Sequence, residues 1–300
     1  MVTRRRVAAT AGLALAAVLL LAGVVDASSS SKGTTKSETT PLPAGETVVE
    51  GKKCPSNSHA TGGGLAVSTG FDPATNTGTE TYPQTNHPSG KAKWRAGTSS
   101  PNGTPAADVT TYLRCEKDSF GKVVDRVTRS VTLASGIAVT SSVVCPPGAR
   151  VLGGGYSVSP AFDADAAGNT TSEMRILQSR RTSAASWTVS AINPRQPTSQ
   201  LTISALCEKN GKQVKTKTKF SPLAERSRET VAAKCPDNQH VVAGGFAVTP
   251  LISNGRIPVV DTSAPSGSRS WTIGVYGEAN IPSGSGITDY VYCKSNKPPS

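Results

Sequence analysis

The sequence predicts an all-β chain of three tandem, disulfide-bonded repeats, on three observations. The same landmarks recur in the same order three times, apolar and polar residues alternate with a period of two, and six cysteines fall two to a repeat. Cys54, Cys145 and Cys235 stand 91 and 90 residues apart, each followed by proline. Nine and ten residues on come paired glycines, Gly63-Gly64, Gly154-Gly155 and Gly244-Gly245, and then an alternating tail such as Tyr156-Ser157-Val158-Ser159. Each repeat holds one tryptophan (Trp94, Trp187, Trp271) and a second cysteine 20–22 residues later (Cys115, Cys207, Cys293). Leu42, Leu133 and Leu223 precede the first cysteines by twelve residues, which bounds the repeats at 41–131, 132–221 and 222–300.

Ahead of them, residues 1–27 read as an export signal. Arg4, Arg5 and Arg6 lead an apolar stretch from Val7 to Val25, and Val25-Asp26-Ala27 supplies a cleavage site that leaves Ser28 as the mature start. The apolar run is long enough that a retained membrane anchor is the alternative, and membrane contact is expected only in that case. Residues 28–40 are rich in Ser and Thr and lack aromatics, so they read as a disordered linker.

Within each repeat, a strand enters the first cysteine, a turn follows at Cys-Pro, and the Gly-Gly strand comes next. A variable loop, a short strand, the Trp strand and the second-Cys strand complete the unit. Leu201, Ile203, Ala205 and Cys207 alternate with Thr202, Ser204 and Leu206, and Trp187, Val189 and Ala191 alternate likewise, as half-buried strands do. Five or six strands in about 90 residues suit a small sandwich. The expected architecture is therefore three β-sandwich-like repeats in tandem, with one pseudo-threefold β-prism as the alternative. Strand-like alternation after the paired glycines argues for a close crossing, against a neighbouring sheet or the Trp ring, over a phosphate cradle. The tryptophans read as core anchors before sugar platforms.

An even number of cysteines in an exported chain reads as disulfides. The repeat leaves two sensible patterns, a ring of bonds between successive units or one bond within each. The second is expected: Cys54–Cys115, Cys145–Cys207 and Cys235–Cys293, which span 61, 62 and 58 residues. Closing such a loop is worth roughly 4 kcal/mol in the chain-entropy model. No Cys-x-x-Cys is present, so a catalytic dithiol is not expected.

The run Cys145-Pro-Pro-Gly-Ala-Arg-Val-Leu-Gly-Gly-Gly-Tyr-Ser-Val, with a later Ser-Trp-Thr-Val and a Leu-Cys ending, resembles a repeat of secreted actinobacterial proteins. The resemblance covers residues 41–297 as three units and carries no assigned chemistry. A fainter likeness is to the vitelline membrane outer layer protein family, a threefold β-prism with shorter units; it implies the alternative fold.

Little in the chain points to catalysis. His59 and His240 occupy one repeat position, where repeat two has Arg150, and a position near a turn that accepts either type reads as a surface group. No free Cys/His set has zinc spacing. Asp163 to Gly168 looks like the start of a calcium loop, but Ala167 and Met174 fall where ligands are needed. Gly-x-Ser-x-Gly and His-Glu-x-x-His are both missing. No enzyme activity, metal or cofactor is expected.

Charge is the remaining lead. The formal net charge is +12, and about +10 once the signal is removed. Lys209, Lys212, Lys215, Lys217 and Lys219 cluster after the second repeat, and Lys215, Lys217 and Lys219 share one face of an extended segment; Arg126 and Arg129 lie in the matching segment one repeat earlier. Lysines on an edge strand discourage edge-to-edge pairing. They also suit an anionic partner, a cell-wall polymer above all. Specific nucleic-acid recognition is not expected, because no aromatics interleave with the lysines. The function expected is an exported, non-catalytic protein of the cell surface or medium. The alternatives are a lectin-like glycan binder, using Phe71, Tyr82 and Phe162 in loops at 70–90, 160–175 and 250–265, and an inhibitor of secreted hydrolases.

Overall fold

The computed structural model describes residues 33–42, 45–51, 53–68, 72–75, 81–100, 107–118, 123–159, 174–193, 198–250, 258–277 and 280–296. The export signal, Phe71, Phe162 and the Asp163–Gly168 segment lie outside them. The described residues contain strands and no helix, eighteen strands in all. Repeat one holds β1 (Thr34–Leu42), β2 (Gly45–Glu50), β3 (Ser58–Ser68), β4 (Tyr82–Gly90), β5 (Lys93–Ser100) and β6 (Ala107–Lys117). Repeat two holds β7 (Val123–Leu133), β8 (Ala138–Val144), β9 (Ala149–Ser159), β10 (Arg175–Arg181), β11 (Ser186–Ile192) and β12 (Ser199–Lys209). Repeat three holds β13 (Lys215–Pro222), β14 (Arg228–Lys234), β15 (Gln239–Thr249), β16 (Val259–Ser266), β17 (Ser270–Tyr276) and β18 (Gly286–Ser295).

The strands form three six-stranded antiparallel sheets, ordered β1-β6-β3-β16-β17-β14, β2-β5-β4-β9-β12-β7 and β13-β18-β15-β10-β11-β8. Each sheet takes three strands from one repeat and three from another. Within a repeat the two half-sheets pack face to face, β3 and β6 against β5 in the first and β15 and β18 against β17 in the third. The two architectures expected from sequence are thus combined: each repeat is a small sandwich, and shared sheets close the three into one pseudo-threefold ring.

Three consecutive positions of β3, β9 and β15 make that closure. At the first, Gly62, Gly153 and Ala243 meet: a Cβ on Gly62 would lie 2.5 Å from the Ala243 Cβ, and one on Gly153 would lie 2.5 Å from the Thr61 carbonyl oxygen. At the second, the Trp94, Trp187 and Trp271 rings lie on Gly63, Gly154 and Gly244, where a Cβ would fall 2.1–2.6 Å from ring atoms. At the third, a Cβ on Gly64, Gly155 or Gly245 would strike the carbonyl of Ser263, Asn86 or Ser179 in the adjoining repeat at 1.9, 1.7 and 2.4 Å. The crossing expected of the paired glycines is therefore present, with both neighbours at once. A one-residue bulge at Thr61, Leu152 and Val242 precedes the run in all three strands. It bends each strand where the three converge.

The indoles tie these layers together. Trp94 Nε1 donates to Asn86 Oδ1 at 2.7 Å, and Trp187 and Trp271 donate to Ser179 and Ser263 Oγ at 3.1 Å. Those acceptors are the residues whose carbonyls rest on the next repeat's third glycine. All three tryptophans are 1% exposed, as expected of core anchors. The disulfides are Cys54–Cys115, Cys145–Cys207 and Cys235–Cys293, one within each unit.

Three sequence expectations change. The linker expected over 28–40 gives way to strand β1 from Thr34, paired along its whole length with β6. An edge strand with one solvated face needs only backbone partners, which Ser/Thr-rich composition does not exclude. β7 and β13 sit in the sheets of the repeats that follow them, so the strand grouping starts at Val123 and Lys215 in place of 132 and 222. The loops expected at 70–90 and 250–265 are shorter, because β4 and β16 occupy their second halves and form the junctions between repeats.

Gly155→Ala is expected to cost about 1–3 kcal/mol or more, because the Cβ would strike the Asn86–His87 backbone, which cannot give way as a flexible side chain would. Gly90→Ala, with nothing within 4 Å of its Cβ, is expected to stay within about 0.5 kcal/mol of the parent. Urea unfolding of the two variants checks the contrast.

Candidate functional site

Two features bring charged groups together. The first lies where β3, β9 and β15 begin. In cross-strand register His59 pairs with Glu116, Arg150 with Glu208, and His240 with Lys294. These are three copies of one repeat position pair, five residues after the first cysteine and one after the second. Lys294 Nζ lies 2.9 Å from Glu116 Oε2, and 3.1 and 3.0 Å from the two Glu208 oxygens. His240 holds Glu116 Oε1 at 2.8 Å through Nε2 and Asn296 Oδ1 at 2.8 Å through Nδ1. Arg114, 2% exposed, donates to Thr35 Oγ1 and the Val241 carbonyl.

Histidines expected at the surface are thus buried: His59 is 2% exposed and His240 5%. Their position follows the Cys-Pro turn, but the strand it opens runs straight to the meeting point of the three repeats. Arg150 is exposed, as a cation facing the Lys294 position would be. Glu116, Glu208 and Lys294 were not singled out from sequence. The available signal was a charged residue after every second cysteine.

Burial alone would push the Glu116 carboxyl up, but the His240 hydrogen bond and the Lys294 charge outweigh it and hold the group well below the usual carboxylate range. Burial works against the Lys294 ammonium, and Glu116 and Glu208 more than reverse it, so its pKa is raised. Burial brings Arg114 down to about 10, partly countered by Glu116. Gly211 closes over Glu208, since a Cβ there would meet the carboxylate. A ring nitrogen of His59 and one oxygen each of Glu116 and Glu208 lie within 4.8 Å of one another.

The second feature is β13, an edge strand as expected. Lys215, Lys217 and Lys219 are exposed at alternate positions, about 7 Å apart along an extended chain, opposite Cys293, Val291 and Asp289. Lys209 is exposed at the end of β12, whereas Lys212 donates to the Ser295 carbonyl. Sheet topology adds two arginines that sequence did not group with the lysines. Arg181 donates to Thr216 Oγ1 at 3.0 Å, and Arg180 stacks over Tyr290, the partner of Thr218, so both meet the face of β13 opposite the three lysines. The equivalent strands are mixed in charge: β1 carries Lys36 with Glu38, and β7 carries Arg126 and Arg129 with Asp125. On β18, beside Lys219, Asp289 accepts from the Ala233 N–H at 2.6 Å. Burial pushes its carboxyl up to about 8 against that hydrogen bond and Lys219.

Tyr82, an expected exposed aromatic, is 3% exposed. It opens β4 beside a small pocket lined by Tyr156, Ile176, Val259 and Arg175, whose guanidinium lies 5.7 Å over the Tyr82 ring.

Lys294→Gln is expected to lower stability by about 3–5 kcal/mol, because it strands two buried carboxylates; chemical denaturation measures it. Asp289 has the opposite sense. Its folded pKa lies above its ordinary 3.8, so the folded chain binds the extra proton and stability falls as pH rises from about 4 to about 8. Asp289→Asn is expected to remove that decline, so its melting temperature should gain on the parent's progressively over the same interval.

Neither protein-family models nor curated proteins match this chain.

Proposed function

We propose that the chain is exported and acts without catalysis as a binding protein of the cell surface, holding an anionic wall polymer along β13. The observation that carries this reading is the row of exposed lysines, Lys215, Lys217 and Lys219, on a sheet edge; Arg180 and Arg181 reach the other face of the same strand. An extended polyanion laid along the strand meets a positive charge every second residue and needs no pocket. Export is supported by the leader-like residues 1–27 and by three disulfides, which suit an oxidising compartment. Binding is centred on one strand, since β1 and β7 intersperse acidic residues. A glycan-stacking role has less support, with the three tryptophans and Tyr82 buried.

The test is co-sedimentation of the chain from Ser28 with purified cell walls, with and without their anionic polymers, at low and high salt. Salt-sensitive binding that disappears with the polymers is expected. Replacing Lys215, Lys217 and Lys219 together by Gln should weaken it roughly hundredfold, at about 1 kcal/mol per lysine held at an anionic surface. Binding that survives polymer removal would refute the reading in favour of the glycan, and no binding would refute it in favour of a protein partner.

A further inference from the structure

We propose that the buried cluster where the three repeats meet is a divalent-metal site of the zinc class, with His59, Glu116 and Glu208 as ligands and the Lys294 ammonium as its resident competitor. The three donor groups come within 4.8 Å of one another, so small side-chain movements bring them to zinc-ligand distances. One nitrogen and two carboxylate oxygens form a three-ligand zinc set with a fourth position open, whereas calcium takes six to eight oxygens.

His59 carries the argument. Its Nδ1 is engaged by Asp118 Oδ1 at 2.7 Å, which leaves Nε2 for the cluster. That nitrogen is buried and has no hydrogen-bond partner among the described residues. A carboxylate on one ring nitrogen, with the other turned inward, is the arrangement that orients a metal-ligating histidine. Pseudo-symmetry explains its aim. His240 Nε2 reaches Glu116 of another repeat, and the same step around the ring carries His59 Nε2 towards Glu208. His240 itself is engaged at both nitrogens, and the third copy is Arg150, so only one of the three positions offers a free nitrogen.

The groups facing the site are Lys294, Arg114 and His240. The formal charges of Glu116, Glu208, Lys294 and Arg114 sum to zero in this structure. An ammonium held by both carboxylates marks the spot where a cation is stabilised. Exchange of Lys294 for a divalent ion raises the charge of the cluster by one, with the lysine arm turned out towards the end of β18. The site is therefore one of competition, in which metal affinity rises when the lysine is removed.

Equilibrium dialysis of the disulfide-intact chain against Zn²⁺, with zinc counted per chain and melting followed in parallel, tests this. The parent is expected to take up one zinc and to melt higher with it. Lys294→Gln should bind at least tenfold more tightly and recover lost stability when zinc is added. His59→Gln should bind at least tenfold more weakly, and Asp118→Asn about 10–100-fold more weakly, as loss of an orienting carboxylate does elsewhere. No stoichiometric uptake by the parent would overturn the proposal, and so would uptake that His59→Gln leaves unchanged. Should Lys294→Gln not fold without zinc, the parent and His59→Gln still decide.

Discussion

The structure depends on how closely three backbones approach one another. At Gly62, Gly153 and Ala243 the chains come so near that no side chain larger than a methyl fits, and only one of the three carries even that. The next two positions are equally confined, by an indole ring and then by a carbonyl of the adjoining repeat. Each faces a different neighbour because strand residues alternate in direction and a bulge turns the strand just before them. Three residues thus specify the centre, the core of each sandwich and the joint to the next. Asn86, Ser179 and Ser263 couple the last two, accepting an indole N–H while their own backbone bears on the neighbouring glycine.

Bringing three backbones together also brings together whatever side chains flank them. A strictly repeated sequence would place three like charges there, and their repulsion in a dry interior would be severe. The chain escapes this because its copies differ. Two carry glutamate and one lysine after the second cysteine, and one of the three histidine positions holds an outward arginine. The resulting balance belongs to the whole ring, since Lys294 of repeat three neutralises carboxylates of repeats one and two.

What could be read from sequence, and what could not, follows from range. Strand identity, the within-unit disulfides and the tryptophan–glycine contact depend on period-two alternation and spacings inside one repeat, and these were legible. The sharing of sheets between repeats was not. A junction such as Thr262 with Ala66 or Thr85 with Ser157 has only two register pairs and no composition of its own. Burial of His59 and His240 was missed for the same reason: their surroundings come from other repeats. The lysine edge was legible as an edge, because Lys215 to Lys219 alternate with threonine and need no core, whereas Arg180 and Arg181 reach it only through the folded sheet.

Shared sheets also dictate an order of assembly. The β4–β9 and β10–β15 joints each link a repeat to the one made after it, and can form as the chain emerges. The last joint pairs β16 with β3, near the chain's beginning, so the first sheet lacks half its strands until the final repeat has been delivered. Ring closure is then a single late event joining distant parts of the chain, the kind of contact that makes β proteins slow to fold. Until it happens β3 presents an open edge, able to accept a strand from another molecule as readily as its own. A disulfide made early in each unit shortens that exposure by holding the half-sheets in place, which gives the cysteines a kinetic role beside their thermodynamic one.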